Sequence, residues 1–179
     1  MRKISFYILI ICCLMQFQTW AQANVSVTVK TNVNSFECEC SGNDFVYKDT
    51  FLAAQKKSMI LFPMKKFDCP KKLMEKDLQE LFEADEFPYA KLQILELSKS
   101  SQVAHQSIKF SLTLKNKTQI YTIPLLEEVV NNQLYIKGDK IIKLDDFGIK
   151  APSKMLGMVK VDNQVAISFT IPEKQLLSN

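Results

Sequence analysis

The chain has 179 residues, of which 47% are hydrophobic, with 23 lysines and arginines against 19 aspartates and glutamates. This length suits a single domain with a core of its own. The net charge of +4 is too small to predict a nucleic-acid-binding protein. Beyond the N-terminal segment, no stretch is long and apolar enough to predict a membrane span.

The first 23 residues have the organisation of a secretory signal peptide. A short basic start precedes the mostly apolar run Ile4–Met15, and Ala21-Gln22-Ala23 is a small-x-small cleavage site. Cleavage after Ala23 would leave 156 of the 179 residues, beginning at Asn24. Neither cysteine of the apolar run follows the small residue that a lipid-anchor signal requires. We therefore expect a signal peptide at 1–23 and one domain at 24–179, in a periplasmic or secreted protein.

Apolar and polar residues alternate with period two along most of the remaining chain. Strands of this kind turn one face to an apolar interior and the other to water. The predicted strands are Val25–Val33, Phe36–Cys40, Phe45–Leu52, Ser58–Phe67, Ala90–Leu97, Gln106–Lys115, Thr118–Leu126, Gln133–Lys137, Lys140–Leu144, Leu156–Val161 and Gln164–Ile171. The predicted turns between the later strands are Asn116-Lys117, Asn131-Asn132, Gly138-Asp139 and Asp162-Asn163. The pattern predicts an all-β, antiparallel barrel.

One helix is predicted between the early and late strands, over about residues 70–84. Asp68 or Cys69 is expected to cap it, and Pro70 would lie in its first turn. Its apolar stripe at helical spacing is Leu73, Met74, Leu78, Leu81 and Phe82. This helix should pack across one end of the barrel.

Three cysteines follow the signal peptide, and an oxidising compartment favours a disulfide between two of them. Cys38 and Cys40 are two residues apart on one predicted strand, roughly 6.6 Å, which is near the upper limit for a disulfide. We therefore expect Cys69 to pair with one of them. The alternative is a metal site from these cysteines and His105, although their spacing matches no standard zinc pattern.

No group of residues predicts an enzyme, and none predicts a cofactor. His105, the only histidine, has Ser107 nearby but lacks the surroundings of a catalytic triad. The segment Asp145–Gly148 contains the Asp-Phe-Gly string of protein kinases without their other motifs. Its adjacent carboxylates should point apart on an extended chain, so we expect them to shape a loop.

The stretch before the helix is basic. Its lysines near the helix are Lys65, Lys66, Lys71 and Lys72. Lysines near a helix N-terminus oppose the helix dipole, so the ordinary interpretation is solvated surface. The alternative is a site for an anionic headgroup.

Three segments, in chain order, resemble the motifs of one family. They are Asn32–Phe36, then Phe67–Cys69 with Met74, Asp77, Leu81 and Phe87-Pro88, and then Leu144–Pro152 with Leu156-Gly157. The first resembles an early strand of the YceI-like family of exported, polyisoprenoid-binding bacterial proteins. The second is similar to that family's helical crossover, and the third to its late loop.

The resemblance implies a lipocalin-like, antiparallel eight-stranded barrel that holds a long isoprenoid or a fatty amphiphile, for carriage, storage or stress protection. A barrel of this size holds one small ligand or is filled by side chains. The candidate lining residues are Val27, Val29, Leu92, Ile94, Phe110, Leu112, Ile167 and Phe169. The alternative is a packed barrel that acts as a periplasmic interaction or structural protein without a lipid. The sequence leaves a homodimer open.

Overall fold

The computed structural model describes residues 23–52, 55–98, 106–154 and 158–176, which contain ten strands, two α-helices and three short 3₁₀ helices. The strands are β1 Asn24–Thr31, β2 Ser35–Ser41, β3 Val46–Leu52, β4 Gln55–Pro63, β5 Tyr89–Ser98, β6 Gln106–Leu114, β7 Lys117–Val130, β8 Gln133–Lys143, β9 Ser153–Lys154 and β10 Val159–Pro172. The helices are α1 Lys72–Leu81 and α2 Glu173–Leu176. Within these ranges no helix is long and apolar enough to cross a membrane.

The strands form one strongly curled antiparallel sheet, a half-barrel. Their order is β2-β1-β10-β8-β7-β6-β5-β4-β3, and the short β9 pairs with β10 off this path. The predicted all-β antiparallel fold with a short helix is therefore confirmed. The strand count differs slightly, because nine strands follow one another around the curl where the family resemblance implied eight.

The two edge strands, β2 and β3, are not neighbours in the sheet. The segment that follows β4 covers the free edge of β2. Glu39 and Asp68 exchange two backbone hydrogen bonds of 2.8 Å each, and a disulfide joins Cys38 to Cys69 beside them. The chain that leads into α1 is thereby fastened to the edge of the sheet.

The pairing between β7 and β8 is incomplete. Only Leu126–Val130 of β7 pairs with β8, through Gln133–Lys137. The earlier part of β7, Lys117–Leu125, pairs with β6, and the later part of β8, residues 138–143, pairs with β10. Residues 117–125 of β7 and residues 138–143 of β8 are therefore not paired with each other. We call this separation the β7–β8 split.

Two of the predicted turns are wrong, because β8 continues through Gly138-Asp139 and β10 continues through Asp162-Asn163. Gly138 faces the interior, where a Cβ would lie 2.6 Å from Cζ of Phe169. The Asn163 side chain donates a hydrogen bond of 2.7 Å to Oδ2 of Asp145. Glycine and asparagine are both common in turns. Here Gly138 leaves room for the ring of Phe169, and Asn163 binds the carboxylate of Asp145.

The other two predicted turns lie where hairpins are found. Asn131 and Asn132 connect β7 to β8 with positive φ angles of 50° and 61°. The turn between β6 and β7 is Lys115-Asn116, with φ angles of 46° and 60°, which is one residue earlier than predicted. Asparagine tolerates this left-handed backbone better than most residues.

The helix is shorter than predicted and begins differently. Its N-cap is Lys71, which makes no side-chain capping hydrogen bond, so the predicted caps Asp68 and Cys69 are wrong. Leu78 and Leu81 are buried, and Met74 packs against the core. Leu73 is 69% exposed, because it lies about 100° around the helix axis from Met74, away from the sheet.

Candidate functional site

The inward faces of the curled sheet surround an apolar cavity of about 40 Å³. Five strands, β1, β5, β6, β8 and β10, contribute alternate residues to its wall, as period two requires, and β4 contributes one. Fourteen apolar residues and one lysine form the wall: Val25, Val27, Phe62, Met64, Phe67, Phe82, Ala90, Leu92, Phe110, Leu112, Leu114, Ile142, Ile167, Phe169 and Lys140. The cavity is an apolar compartment, and among the described residues Lys140 is the one charged group on its wall.

Six of the eight lining residues proposed from the sequence lie on the cavity wall. These are Val27, Leu92, Phe110, Leu112, Ile167 and Phe169. Val29 instead lines a separate crevice beneath α1, together with Leu78 and Leu81. Ile94 is buried in the core but does not line this cavity. The alternation identifies the inward face of each strand, but it does not say how far along the barrel the open space extends.

Aromatic rings occupy much of the interior. The rings of Phe110 and Phe169 meet edge to face at a centroid distance of 6.4 Å, and Phe110 lies 5.8 Å from the ring of Tyr121. The remaining volume of about 40 Å³ is far below the roughly 300–1,000 Å³ of pockets that hold drug-sized ligands. A long apolar chain would therefore enter only if some of these side chains moved.

Lys140 is the charged residue on the cavity wall. It is half-buried, and its Nζ lies 4.8 Å from the centroid of the Tyr121 ring. Lys140 belongs to the inward-facing positions of β8, between the buried Gly138 and Ile142. The sequence does not single out Lys140, because a turn expected at Gly138-Asp139 makes Lys140 the first residue of a strand, where a lysine is ordinarily solvated. Continuous alternation through Ile136, Gly138 and Lys140 is the signal that could have identified it.

Tyr121 faces Lys140 from β7. Its hydroxyl oxygen is buried and has no hydrogen-bond partner in the part of the chain that the structure describes. Burial raises the pKa of the Tyr121 phenol, and the negative charge of Asp146 adds to this effect. The hydroxyl therefore stays protonated at neutral pH and is available as a donor.

The four lysines near the helix do not converge on the cavity. Three of them contact carboxylates, with Nζ–O distances of 2.5 Å for Lys65–Asp85, 3.4 Å for Lys66–Asp44 and 2.7 Å for Lys72–Glu75. A hydrogen bond from Lys65 and its positive charge lower the pKa of Asp85. Lys71 is exposed at the N-cap of α1. Their charges are thus largely compensated on the outer surface, and none of the four lines the cavity.

The disulfide uses two of the four groups of the alternative metal site, Cys38 and Cys69. His105 lies outside the described residues. Cys40 is a free, fully buried thiol. Burial raises its pKa to about 11, with a further contribution from Asp44. A buried thiol with such a pKa is an inert core residue rather than a nucleophile.

The loop that contains the Asp-Phe-Gly string is a short 3₁₀ helix, Leu144–Phe147, followed by Gly148 with a φ angle of 67°. Phe147 is buried in the core. The backbone N–H of Asp145 donates to Oδ1 of Asn163 at 3.2 Å, and the carboxylate of Asp145 accepts from the same amide. Asp145 thus fastens this loop to β10.

Residues 14–172 match the family model described as the YceI-like domain. The chain belongs to the YceI-like family. This is a family of binding proteins that are generally not enzymes and are typically periplasmic. The disulfide is consistent with an oxidising compartment. No curated protein matches the chain.

Solved structures share the YceI-like fold at low sequence identity. BcnA of Burkholderia cenocepacia has a TM-score of 0.65 and 18% identity, over 84% of this chain and 95% of that one. A polyisoprenoid binding domain from Saccharophagus degradans has a TM-score of 0.60 and 12% identity, over 84% and 92%. The Campylobacter jejuni YCEI protein has a TM-score of 0.57 and 14% identity, over 80% and 83%. These likenesses establish the fold of this YceI-like chain.

Proposed function

We propose that this protein is an exported binding protein that holds the apolar chain of an amphiphile, a polyisoprenoid or a fatty-acid-like lipid, inside the barrel. Carriage, storage or stress protection would then be its role. The observation that carries the proposal is the cavity wall, in which fourteen of fifteen residues are apolar. The Saccharophagus degradans relative is described as a polyisoprenoid binding domain, which supports the same ligand class.

Burial of methylene groups would drive binding, at roughly 0.8 kcal/mol for each group. Eight buried methylenes would contribute roughly 6 kcal/mol, and no covalent step is needed. Part of this energy would be offset by displacing the rings of Phe110 and Phe169, which fill the present interior. Val29 and Ile94 would contact the ligand only if it extended beyond the present cavity.

A second function is favoured by the small volume of the cavity, about 40 Å³. On this view the barrel is packed for stability, and the protein acts through its outer surface as a periplasmic interaction or structural protein. The two functions differ in whether the interior ever opens.

Native mass spectrometry of the protein purified from its own host would test the proposal. We expect a protein ion that is heavier than the processed chain by the mass of an amphiphile, which denaturation releases. Organic extraction followed by incubation with geranylgeraniol or palmitic acid should restore a bound mass. A bare protein that takes up neither compound would favour the packed-barrel function instead.

A further inference from the structure

No carboxylate of the described residues forms an ion pair with Lys140, whose charge lies at the cavity wall. Lys65, Lys72 and Lys115 each contact a carboxylate, whereas Lys140 forms no ion pair within the described ranges. Because Lys140 is only half-buried, its ammonium keeps part of its hydration, and the hydration that it loses at the apolar wall is a cost that a counter-charge would offset. Its contact with the face of the Tyr121 ring offsets only part of that cost. The position is therefore suited to an anion from outside the chain that Lys140 attracts, although the negative charge of Asp146 also acts on Tyr121.

The second observation is independent of the first. The hydroxyl of Tyr121 is buried without a hydrogen-bond partner in the described part of the chain, which is rare for a polar group inside a protein. A hydroxyl donor beside a lysine ammonium is a combination that binds a carboxylate or phosphate oxygen through charge-assisted hydrogen bonds. The ammonium of Lys140 lies 4.8 Å from the centroid of the ring that carries this hydroxyl, so one carboxylate or phosphate group would offer an oxygen to each of them.

The two residues lie at the β7–β8 split. Tyr121 belongs to the stretch of β7 that pairs only with β6, and Lys140 to the stretch of β8 that pairs only with β10. On the inner side, Tyr121 adjoins Phe110, and Lys140 is the register partner of Ile167. Phe110 and Ile167 both line the cavity. A head held at the split would thus be continuous with a tail inside the cavity.

We propose that Lys140 and Tyr121 bind the anionic head of an amphiphile, a carboxylate or a phosphate, whose apolar tail occupies the cavity. This inference rests on the proposed function, because it assigns the head of the same ligand. The headgroup would therefore bind at Lys140 on the cavity wall, and not at the lysines near the helix, which are Lys65, Lys66, Lys71 and Lys72.

Matched ligands that differ only in their heads would test the assignment. Binding of palmitic acid and hexadecanol, and of geranylgeranyl phosphate and geranylgeraniol, is measured for the full processed protein. Lys140→Met retains a long apolar side chain and removes the charge, and Tyr121→Phe removes only the hydroxyl. The control is Lys143→Met, because Lys143 is exposed on the same strand and does not line the cavity.

We expect Lys140→Met to weaken binding of the acid or the phosphate about tenfold, the effect of one charge-assisted hydrogen bond, with little change for the alcohols. Tyr121→Phe should show the same selectivity with a smaller loss, and Lys143→Met should bind all four ligands like the wild type. A larger loss for palmitic acid identifies a carboxylate head, and a larger loss for the phosphate identifies a phosphoryl head.

Equal losses for charged and uncharged ligands, or no loss in Lys140→Met, would overturn the headgroup site while leaving the apolar cavity as the binding site. A comparable loss in the combined Lys71→Gln and Lys72→Gln variant, with Lys140→Met unaffected, would return the head to the lysines near the helix. A wild-type protein that binds none of the four ligands would instead overturn the proposed function itself.

Discussion

Cys38 and Cys69 are joined by a disulfide that attaches the approach to α1 to the edge strand β2. Cys38 is fully buried on β2, and the neighbouring residues Glu39 and Asp68 are hydrogen-bonded through their backbones. Among the described strands β2 pairs only with β1, so this connection covers an edge that would otherwise be free to pair with another chain.

Removing the disulfide should destabilise the fold by about 3–4 kcal/mol. The two cysteines are 31 residues apart, and closing a loop of this length restricts the unfolded chain by about that amount. Urea unfolding of the Cys38→Ala/Cys69→Ala variant, with and without reductant, would measure the loss, and reduced wild-type protein should approach it. Three free thiols in the oxidised, processed protein, counted after denaturation, would contradict the pairing.

Cys40 should react with thiol reagents only after the protein unfolds. Its pKa is raised to about 11 by burial and by Asp44, so the thiolate is scarce at pH 8, and its side chain is inaccessible. The pKa of Cys40 in the folded protein is higher than the value of 9.0 for an unperturbed thiol. The contribution of this thiol to the free energy of unfolding is therefore complete below pH 9 and is lost as the pH rises towards 11, because the unfolded chain gives up its proton first. Ellman's reagent at pH 8 should modify about one thiol in urea. Rapid modification of the native protein would contradict this placement.

The alternation in the sequence was sufficient to predict the inward face of most strands. Phe110 and Leu112 are buried on β6, where the pattern placed them. The alternation failed at Gly138, because a glycine inside a strand looks like a turn residue unless its packing against Phe169 is known. With a turn expected at Gly138, the sequence gives no reason to place Lys140 on the cavity wall, where the structure has it.

Other features depend on contacts that are distant in the sequence. Asp68 does not cap the helix, because its backbone pairs with Glu39 of β2. This contact between residues distant in the sequence could not be predicted from the local pattern. The lysines near the helix looked like an uncompensated cluster, but Asp85 lies 20 residues from Lys65 in the sequence and 2.5 Å from it in the fold. Local patterns report secondary structure, whereas charge compensation is decided by the tertiary fold.

Tyr121→Phe should leave the ligand-free protein as stable as the wild type, or slightly more stable. The hydroxyl of Tyr121 is buried and has no hydrogen-bond partner among the described residues, so removing it relieves an unsatisfied polar group. The comparison is Tyr47→Phe, because the hydroxyl of Tyr47 donates to Oε1 of Gln175 at 2.6 Å. That variant should lose about 0.5–1 kcal/mol. Urea unfolding of both variants measures the difference, and a larger loss for Tyr121→Phe would mean that its hydroxyl has a partner.

The exported protein should begin at Asn24. The small-x-small site Ala21-Gln22-Ala23 predicts cleavage after Ala23, and β1 begins at Asn24. Intact-mass measurement of protein recovered from outside the cytoplasm would locate the first residue. Retention of Met1, or a lipid on Cys12, would contradict the predicted processing.

A substitution that fills the cavity would distinguish the ligand-binding function from the packed-barrel function. Ala90 is a small residue on the wall, and Ala90→Val would add two methyl groups to the open space. Since packing into an existing void is favourable, we expect the variant to gain about 0.5–1 kcal/mol of unfolding free energy. A ligand-binding barrel should at the same time bind palmitic acid and geranylgeraniol more weakly, and the longest chains should lose most. The control is Lys91→Val, because Lys91 is exposed on the same strand and its replacement leaves the cavity unchanged. If Ala90→Val is more stable and its uptake of every chain length equals that of the wild type, the ligand does not occupy this cavity.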